Sequence, residues 1–130
     1  MRRPLVLATC LTPVLAGCGG EGDKAPGKAV TVERGQVVRV TGAEYHFTPD
    51  RVVVLGGGGR ISLRFANEGS LAHDLRIFRG EDDVGGTPAL QGGSRSATLR
   101  LAAGDYRMLC TVGDHAKLGM RGLLRVRARN

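Results

Sequence analysis

The sequence predicts an all-β chain that folds as a two-sheet β-sandwich of about seven to eight strands. From Val30 onward, short segments of alternating apolar and polar residues are separated by turn residues, as in strands with one buried face. No convincing helical period interrupts this pattern, and 21 glycines among 130 residues suit short strands joined by many turns. The spacing of the short strands indicates two packed sheets.

Eight segments are predicted as strands because each is a short run bounded by turn residues. In chain order they lie near residues 30–33, 36–43, 51–55, 60–67, 72–79, 96–101, 105–111 and 121–128. Thr48-Pro49-Asp50 and Asn67-Glu68-Gly69-Ser70 supply turn chemistry between neighbouring strands. Residues 80–95, which contain two pairs of adjacent glycines, are predicted as the longest irregular connection.

One short segment near the C-terminus carries the residues that say most about chemistry. Cys110, His115 and Met120 follow the pattern C-x4-H-x4-M, and a second histidine, His73, lies upstream. Two imidazoles and a thiolate in a trigonal plane, with a long axial thioether, are the ligands of a blue-copper electron-transfer site. These four residues are therefore candidate ligands of one copper ion.

The alternation of side chains along the predicted strands places the candidate ligands on apolar faces. Each shares its parity with apolar neighbours: His73 with Leu75, Cys110 with Met108, and Met120 with Leu124. Ligands that face the interior at strand ends, with His115 supplied by the loop, predict a shallow buried site at one pole of the sandwich. Asp74 and Thr111 have the opposite parity and are predicted to point away from the metal.

Residues 1–17 are predicted to be a signal peptide of the lipoprotein type. Arg2 and Arg3 precede the apolar stretch 4–16, which is too short to span a membrane as a helix and suits an export signal. Leu15-Ala16-Gly17-Cys18 resembles the lipobox of bacterial lipoproteins, in which cleavage precedes a cysteine that is then lipidated. An ordinary signal with a chance cysteine is the alternative.

Cleavage at this point predicts the domain organisation and the location of the protein. Residues 18–29 are expected to be a lipidated cysteine and a flexible tether, and residues 30–130 the copper-binding domain. The protein is then extracytoplasmic and lipid-anchored to a bacterial membrane, in the periplasm or on the outer cell surface. Cys10 leaves with the signal and Cys18 carries lipid, so Cys110 is the one free thiol in an oxidising compartment. A bound metal accounts for that thiol.

The chain carries a formal net charge of +7, with its basic residues on the outward faces of several predicted strands. This charge suits an acidic redox partner or anionic lipid headgroups, and an ordinary solvated face remains an equal alternative. Nucleic acid is not expected as a partner of an exported chain in which 4% of residues are aromatic.

Three segments resemble the cupredoxins, the small blue-copper proteins, in order and spacing. They are 44–54, 67–75 and 106–126, and the gaps of four residues in the ligand loop look most like those of auracyanin-type members. The resemblance implies a Greek-key β-sandwich, one copper ion and electron transfer, with His73, Cys110, His115 and Met120 as ligands. Many relatives have Pro-Gly before the loop histidine, where this chain has Gly113-Asp114.

Four protein ligands leave no open position for a substrate, so we expect an electron carrier and not an enzyme. The protein is also expected to be a monomer. The ring edge of His115 is predicted to lie in a small apolar partner-docking patch of Gly113, Ala116, Leu118 and Gly119.

The resemblance also suggests a tie around the metal. Many relatives have an asparagine at the position of Asp74; here Asp74 would accept a hydrogen bond for which Thr111 is the donor.

Three other functions are weighed against electron transfer. A copper-binding or trafficking protein of the cell envelope would deliver the metal instead of cycling it. A copper enzyme of the nitrite-reductase or multicopper-oxidase kind needs a second copper centre, and the chain has only three histidines. A metal-free sandwich that serves as a binding module is disfavoured by the complete ligand set.

Overall fold

A computed structural model of the chain describes residues 29–129. The predicted signal peptide, Cys18 and all but the last residue of the predicted tether lie outside the described residues. Among residues 29–129, no helix is long and apolar enough to cross a membrane.

The described residues form ten strands in two sheets, which confirms the predicted all-β sandwich. In chain order the strands are β1 Val30–Glu33, β2 Val37–Ala43, β3 His46–Thr48, β4 Arg51–Leu55, β5 Gly59–Asn67, β6 Arg76–Arg79, β7 Asp82–Gly86, β8 Gly93–Leu101, β9 Gly104–Leu109 and β10 Arg121–Arg127. One sheet has the order β1-β4-β10-β9-β6-β7 and the other the order β3-β2-β5-β8. Both sheets are mixed, because β4 pairs in parallel with β1 and β10, and β2 in parallel with β5.

The core lies between the two sheets and is built by the alternation that the sequence shows. In β5, Ile61, Leu63 and Phe65 are buried while Arg60 and Arg64 are exposed. Burial of such apolar side chains on facing sheets is the main term that stabilises a sandwich. The buried cluster extends to the pole that carries the candidate ligands, since it includes Cys110 and Met120.

Two of the ten strands were not predicted, and both lie at sheet edges. β3 has three residues, too few to show alternation. β7 lies inside residues 80–95, so the prediction of an irregular connection there is wrong. Its five residues include two glycines and two aspartates, and it pairs with β6 through backbone hydrogen bonds without burying an apolar face. Gly86 is required there, because a Cβ would lie 2.1 Å from the carbonyl oxygen of Leu75.

Two predicted strands are shorter than expected at the end near the candidate site. β6 begins at Arg76, and not near residue 72, and β9 ends at Leu109. His73 instead forms an isolated antiparallel bridge with Leu90. The sheet therefore stops where the chain turns to form the site.

Candidate metal centre

Three of the four candidate ligands come from one β-hairpin. Cys110 directly follows β9 and Met120 directly precedes β10. The Cys110 N–H donates to the Met120 carbonyl at 3.1 Å, and the Met120 N–H donates to the His115 carbonyl at 3.0 Å. These backbone bonds close the loop and hold the three residues together.

The loop between Cys110 and Met120 is folded tightly on itself. The His115 N–H donates to the Val112 carbonyl, and the Leu118 N–H donates to the Asp114 carbonyl. Gly113 adopts a φ of +49°, a left-handed conformation that glycine reaches without strain. The compact turns bring the His115 imidazole back over Cys110.

The fourth candidate ligand, His73, is held by a separate part of the chain. Its N–H donates to the Leu90 carbonyl at 3.0 Å, and the Leu90 N–H donates back at 2.8 Å. The buried Asn67 fixes the preceding turn, because its amide nitrogen donates to the carbonyls of Leu71 and Leu90. The His73 side chain is fully buried as a result.

Three ligand atoms converge at this pole of the sandwich. The Cys110 Sγ lies 3.9 Å from His73 Nδ1 and 3.6 Å from His115 Nδ1, and the two Nδ1 atoms are 3.1 Å apart. All three atoms lie within 4.8 Å of one another, which is close enough for one ion to bind them together. Met120 is fully buried and bonded to Cys110 and His115 through its backbone.

Burial shifts the pKa values of the site in opposite directions. It lowers the pKa of His73, and the neighbouring His115 lowers that pKa further by charge repulsion. The neutral imidazole that a metal requires is therefore favoured. Burial raises the pKa of the Cys110 thiol, against the opposing effect of the backbone N–H groups of Asp74 and Val112. The thiol thus keeps its proton until a cation replaces it.

The donor set fits a single type 1 copper ion. Two imidazoles and one thiol would also suit zinc, but the buried thioether of Met120 completes a set that selects copper. Within residues 29–129, the Nε2 atom of His73 is buried without a hydrogen-bond partner. The other ring nitrogen, Nδ1, faces His115 Nδ1 and Cys110 Sγ, as the donor nitrogen of a metal ligand must. The remaining histidine, His46, lies exposed on β3, outside the cluster.

Asp74 and Thr111 connect the chain segment that carries His73 to the one that carries Cys110. The Thr111 N–H donates to Asp74 Oδ1 at 2.7 Å, and the Thr111 hydroxyl donates to Asp74 Oδ2 at 2.5 Å. Each residue directly follows a candidate ligand, so the pair links the backbone at His73 to the backbone at Cys110.

Residues of the predicted docking patch lie in the same loop as His115 and are exposed or half-buried. Leu118 is 57% exposed, Gly113 and Gly119 are exposed, and Ala116 is half-buried. His115 itself is half-buried, whereas the other three candidate ligands are buried.

The sequence interpretation missed two residues that contact the candidate ligands, Glu44 and Tyr45 in the turn between β2 and β3. Glu44 Oε1 lies 3.6 Å from His73 Nε2, and the rings of Tyr45 and His115 form a T-shaped pair with 5.2 Å between centroids. Backbone N–H groups, chiefly that of Leu71, lower the pKa of Glu44 to about 2. A turn has no parity to read; the presence of Glu44 and Tyr45 in a segment that carries the cupredoxin resemblance is the one signal that points to them.

Solved structures of known proteins identify the fold. No family model matches the chain, and no curated protein matches it in sequence. Among solved structures, dithionite-reduced auracyanin from the photosynthetic bacterium Roseiflexus castenholzii is similar with a TM-score of 0.64 at 21% identity, over 70% of this chain and 96% of that one. Auracyanin B is similar with a TM-score of 0.65 at 22% identity, over 72% and 89%. Rusticyanin from Thiobacillus ferrooxidans is similar with a TM-score of 0.60 at 22% identity, over 75% and 82%. The chain therefore has the cupredoxin fold.

Proposed function

We propose that this chain is a blue-copper protein that transfers single electrons between redox partners through one type 1 copper ion. The observation that carries the proposal is the convergence of His73 Nδ1, His115 Nδ1 and Cys110 Sγ within 4.8 Å, beside a buried methionine. Auracyanin and rusticyanin, which share the fold, are both named in reduced form, so each of those proteins has a redox-active state.

The residues of the chain would hold the metal in one geometry. His73, His115, Cys110 and Met120 supply the donors, and copper supplies a one-electron couple between Cu(I) and Cu(II). The His73–Leu90 bridge, the closed ligand loop and the Asp74–Thr111 pair fix the backbone at each donor. A fixed donor set needs little rearrangement when an electron arrives or leaves. Four protein donors leave no site for a substrate, which supports a carrier and not an enzyme.

Electrons are proposed to cross at His115. It is the one half-buried ligand among the four, and Gly113, Ala116, Leu118 and Gly119 surround it with small and apolar surface. A partner that covers this patch would approach the metal through a single imidazole ring.

An acidic partner is supported by the charge beside the patch. A shallow groove that adjoins the ligand loop is lined by Arg107, Lys117 and Arg121 together with Leu109 and Leu123. Complementary charge at such a rim raises the rate at which the partners associate, and this rate enhancement decreases as the salt concentration rises.

We place the protein outside the cytoplasm, as a monomer tethered to the membrane through lipid on Cys18.

The proposal is tested by adding Cu(II) to the purified protein. We expect one bound equivalent, an intense blue absorption from thiolate to copper, and a reversible one-electron wave. The Cys110→Ser variant is the matched control, because it keeps the shape of the side chain and removes the thiolate. Binding without blue absorption or a reversible wave would refute the proposal. Rapid loss of copper to a mild chelator together with that result would instead indicate copper trafficking.

A further inference from the structure

The fully buried imidazole of His73 presents an unpaired nitrogen to one carboxylate. Among the described residues, Nε2 has no hydrogen-bond partner, and Oε1 of Glu44 lies 3.6 Å from it. That distance is longer than a hydrogen bond by about 0.4 Å, which a small movement of the ring closes. We propose that Glu44 is the positioning residue that orients His73 toward the metal and lowers the reduction potential of the copper. This inference rests on the proposed copper site.

The Glu44 carboxylate is fixed by the turn that precedes His73. Its Oε1 accepts the N–H groups of Ser70 at 2.6 Å and Leu71 at 2.9 Å. Gly69 makes room for it, since a Cβ at that position would lie 2.5 Å from Oε1. The carboxylate therefore occupies a socket formed by residues 69–71, and it faces the only ring nitrogen of His73 that does not point at the other donors.

The chemistry of a metal-bound imidazole requires such a partner. When Nδ1 binds the ion, the proton sits on Nε2, and ligating histidines almost always donate that proton to a carboxylate, a carbonyl or water. For His73 the described residues offer Glu44 alone. A fixed negative charge on the far side of the ring makes the imidazole a stronger donor. It stabilises Cu(II) more than Cu(I), so the reduction potential falls.

Glu44→Gln is the informative variant, because the amide oxygen still accepts the Ser70 and Leu71 N–H groups while the charge is lost. We expect a higher reduction potential than in the unmodified protein and copper affinity lower by about 10- to 100-fold. Glu44→Ala removes charge and acceptor and should raise the potential further. Glu68→Gln is the control, since it removes an equal charge from an exposed residue whose N–H bonds to the Gly42 carbonyl. It should leave the potential unchanged.

A second measurement uses the metal-free protein. The nitrogen NMR shifts of His73 should report one tautomer with the proton on Nε2, and a mixture of tautomers in Glu44→Ala. An unchanged potential in Glu44→Gln, or an unchanged tautomer in Glu44→Ala, overturns the inference. If Glu44→Ala does not fold, the potential of Glu44→Gln decides. If the unmodified protein binds no blue copper, the proposed function fails, and the tautomer measurement still decides whether Glu44 orients His73.

Discussion

Replacing Asp74 by alanine should lower the free energy of unfolding of the metal-free protein by about 2–4 kcal/mol. Asp74 is buried and accepts two hydrogen bonds from Thr111, at 2.7 Å and 2.5 Å. Hydrogen bonds to a charged group contribute about 1.5–3 kcal/mol each. The two bonds together would contribute about 3–6 kcal/mol. This sum is reduced by about a third, to about 2–4 kcal/mol, because Thr111 is exposed and its freed hydroxyl can bond to water.

Two matched variants separate the contributions of the two bonds. Asp74→Asn keeps an oxygen that accepts the Thr111 N–H, and its amide nitrogen can donate to the Thr111 hydroxyl, which then accepts. The loss should stay below about 1 kcal/mol. Thr111→Val keeps the shape of the side chain and loses only the hydroxyl bond, at a cost of about 1–2 kcal/mol after the same reduction. The expected order of destabilisation is alanine, then valine, then asparagine.

Denaturant unfolding of the metal-free variants measures these differences directly, and the Asp74→Ala, Thr111→Val double variant gives the coupling between the two side chains. An Asp74→Ala protein within about 0.5 kcal/mol of the unmodified one, near the limit of such measurements, would show that the pair does not stabilise the fold. The reasoning would also fail if Asp74→Asn were as destabilising as Asp74→Ala. The side-chain shape and the hydrogen bonds that asparagine keeps would then contribute nothing to stability.

Three further outcomes are expected. His115→Ala should abolish the blue absorption of the copper-loaded protein, and an unchanged spectrum would exclude His115 as a ligand. Gly42→Ala should destabilise the fold by about 1–3 kcal/mol and alter the copper spectrum, because the added Cβ would lie 2.9 Å from Met120 Cε; unfolding and spectra identical to those of the unmodified protein would contradict this. Arg76 lowers the pKa of Asp83 from its usual value of 3.8, so the stability that Asp83 contributes is present above that pH and is lost as the pH falls through the lowered pKa. Asp83→Asn should therefore flatten the pH dependence of unfolding below about pH 4, and an unchanged acid limb would count against the ion pair.

The local sequence pattern was sufficient to predict the parts of this fold that depend on the alternation of side chains along a strand. The inward direction of Cys110 and Met120 follows from apolar neighbours on the same face of each strand, and the structure buries both. Asp74 and Thr111, the residues that directly follow His73 and Cys110, bond to each other.

The features that escaped prediction depend on contacts between distant segments. β7 pairs by backbone alone, so its sequence carries no apolar signal. His73 lies in an isolated bridge to Leu90, seventeen positions away, and no local pattern distinguishes a bridge from the start of a strand. Glu44 reaches Ser70 and Leu71 across a sequence separation of 26 and 27 residues. Only the folded chain brings these groups together.

One candidate ligand is half-buried and the other three are buried, and this contrast affects which redox proteins could exchange electrons with the site. Electron tunnelling falls steeply with distance. If copper is bound as proposed, a donor or acceptor that meets the sandwich away from His115 would be farther from the metal than one that meets it at His115. Electron transfer through most of the molecular surface would then be slow, so random encounters with other redox proteins would not exchange electrons. Orientation at a single small window would decide which oxidants and reductants exchange charge with this carrier.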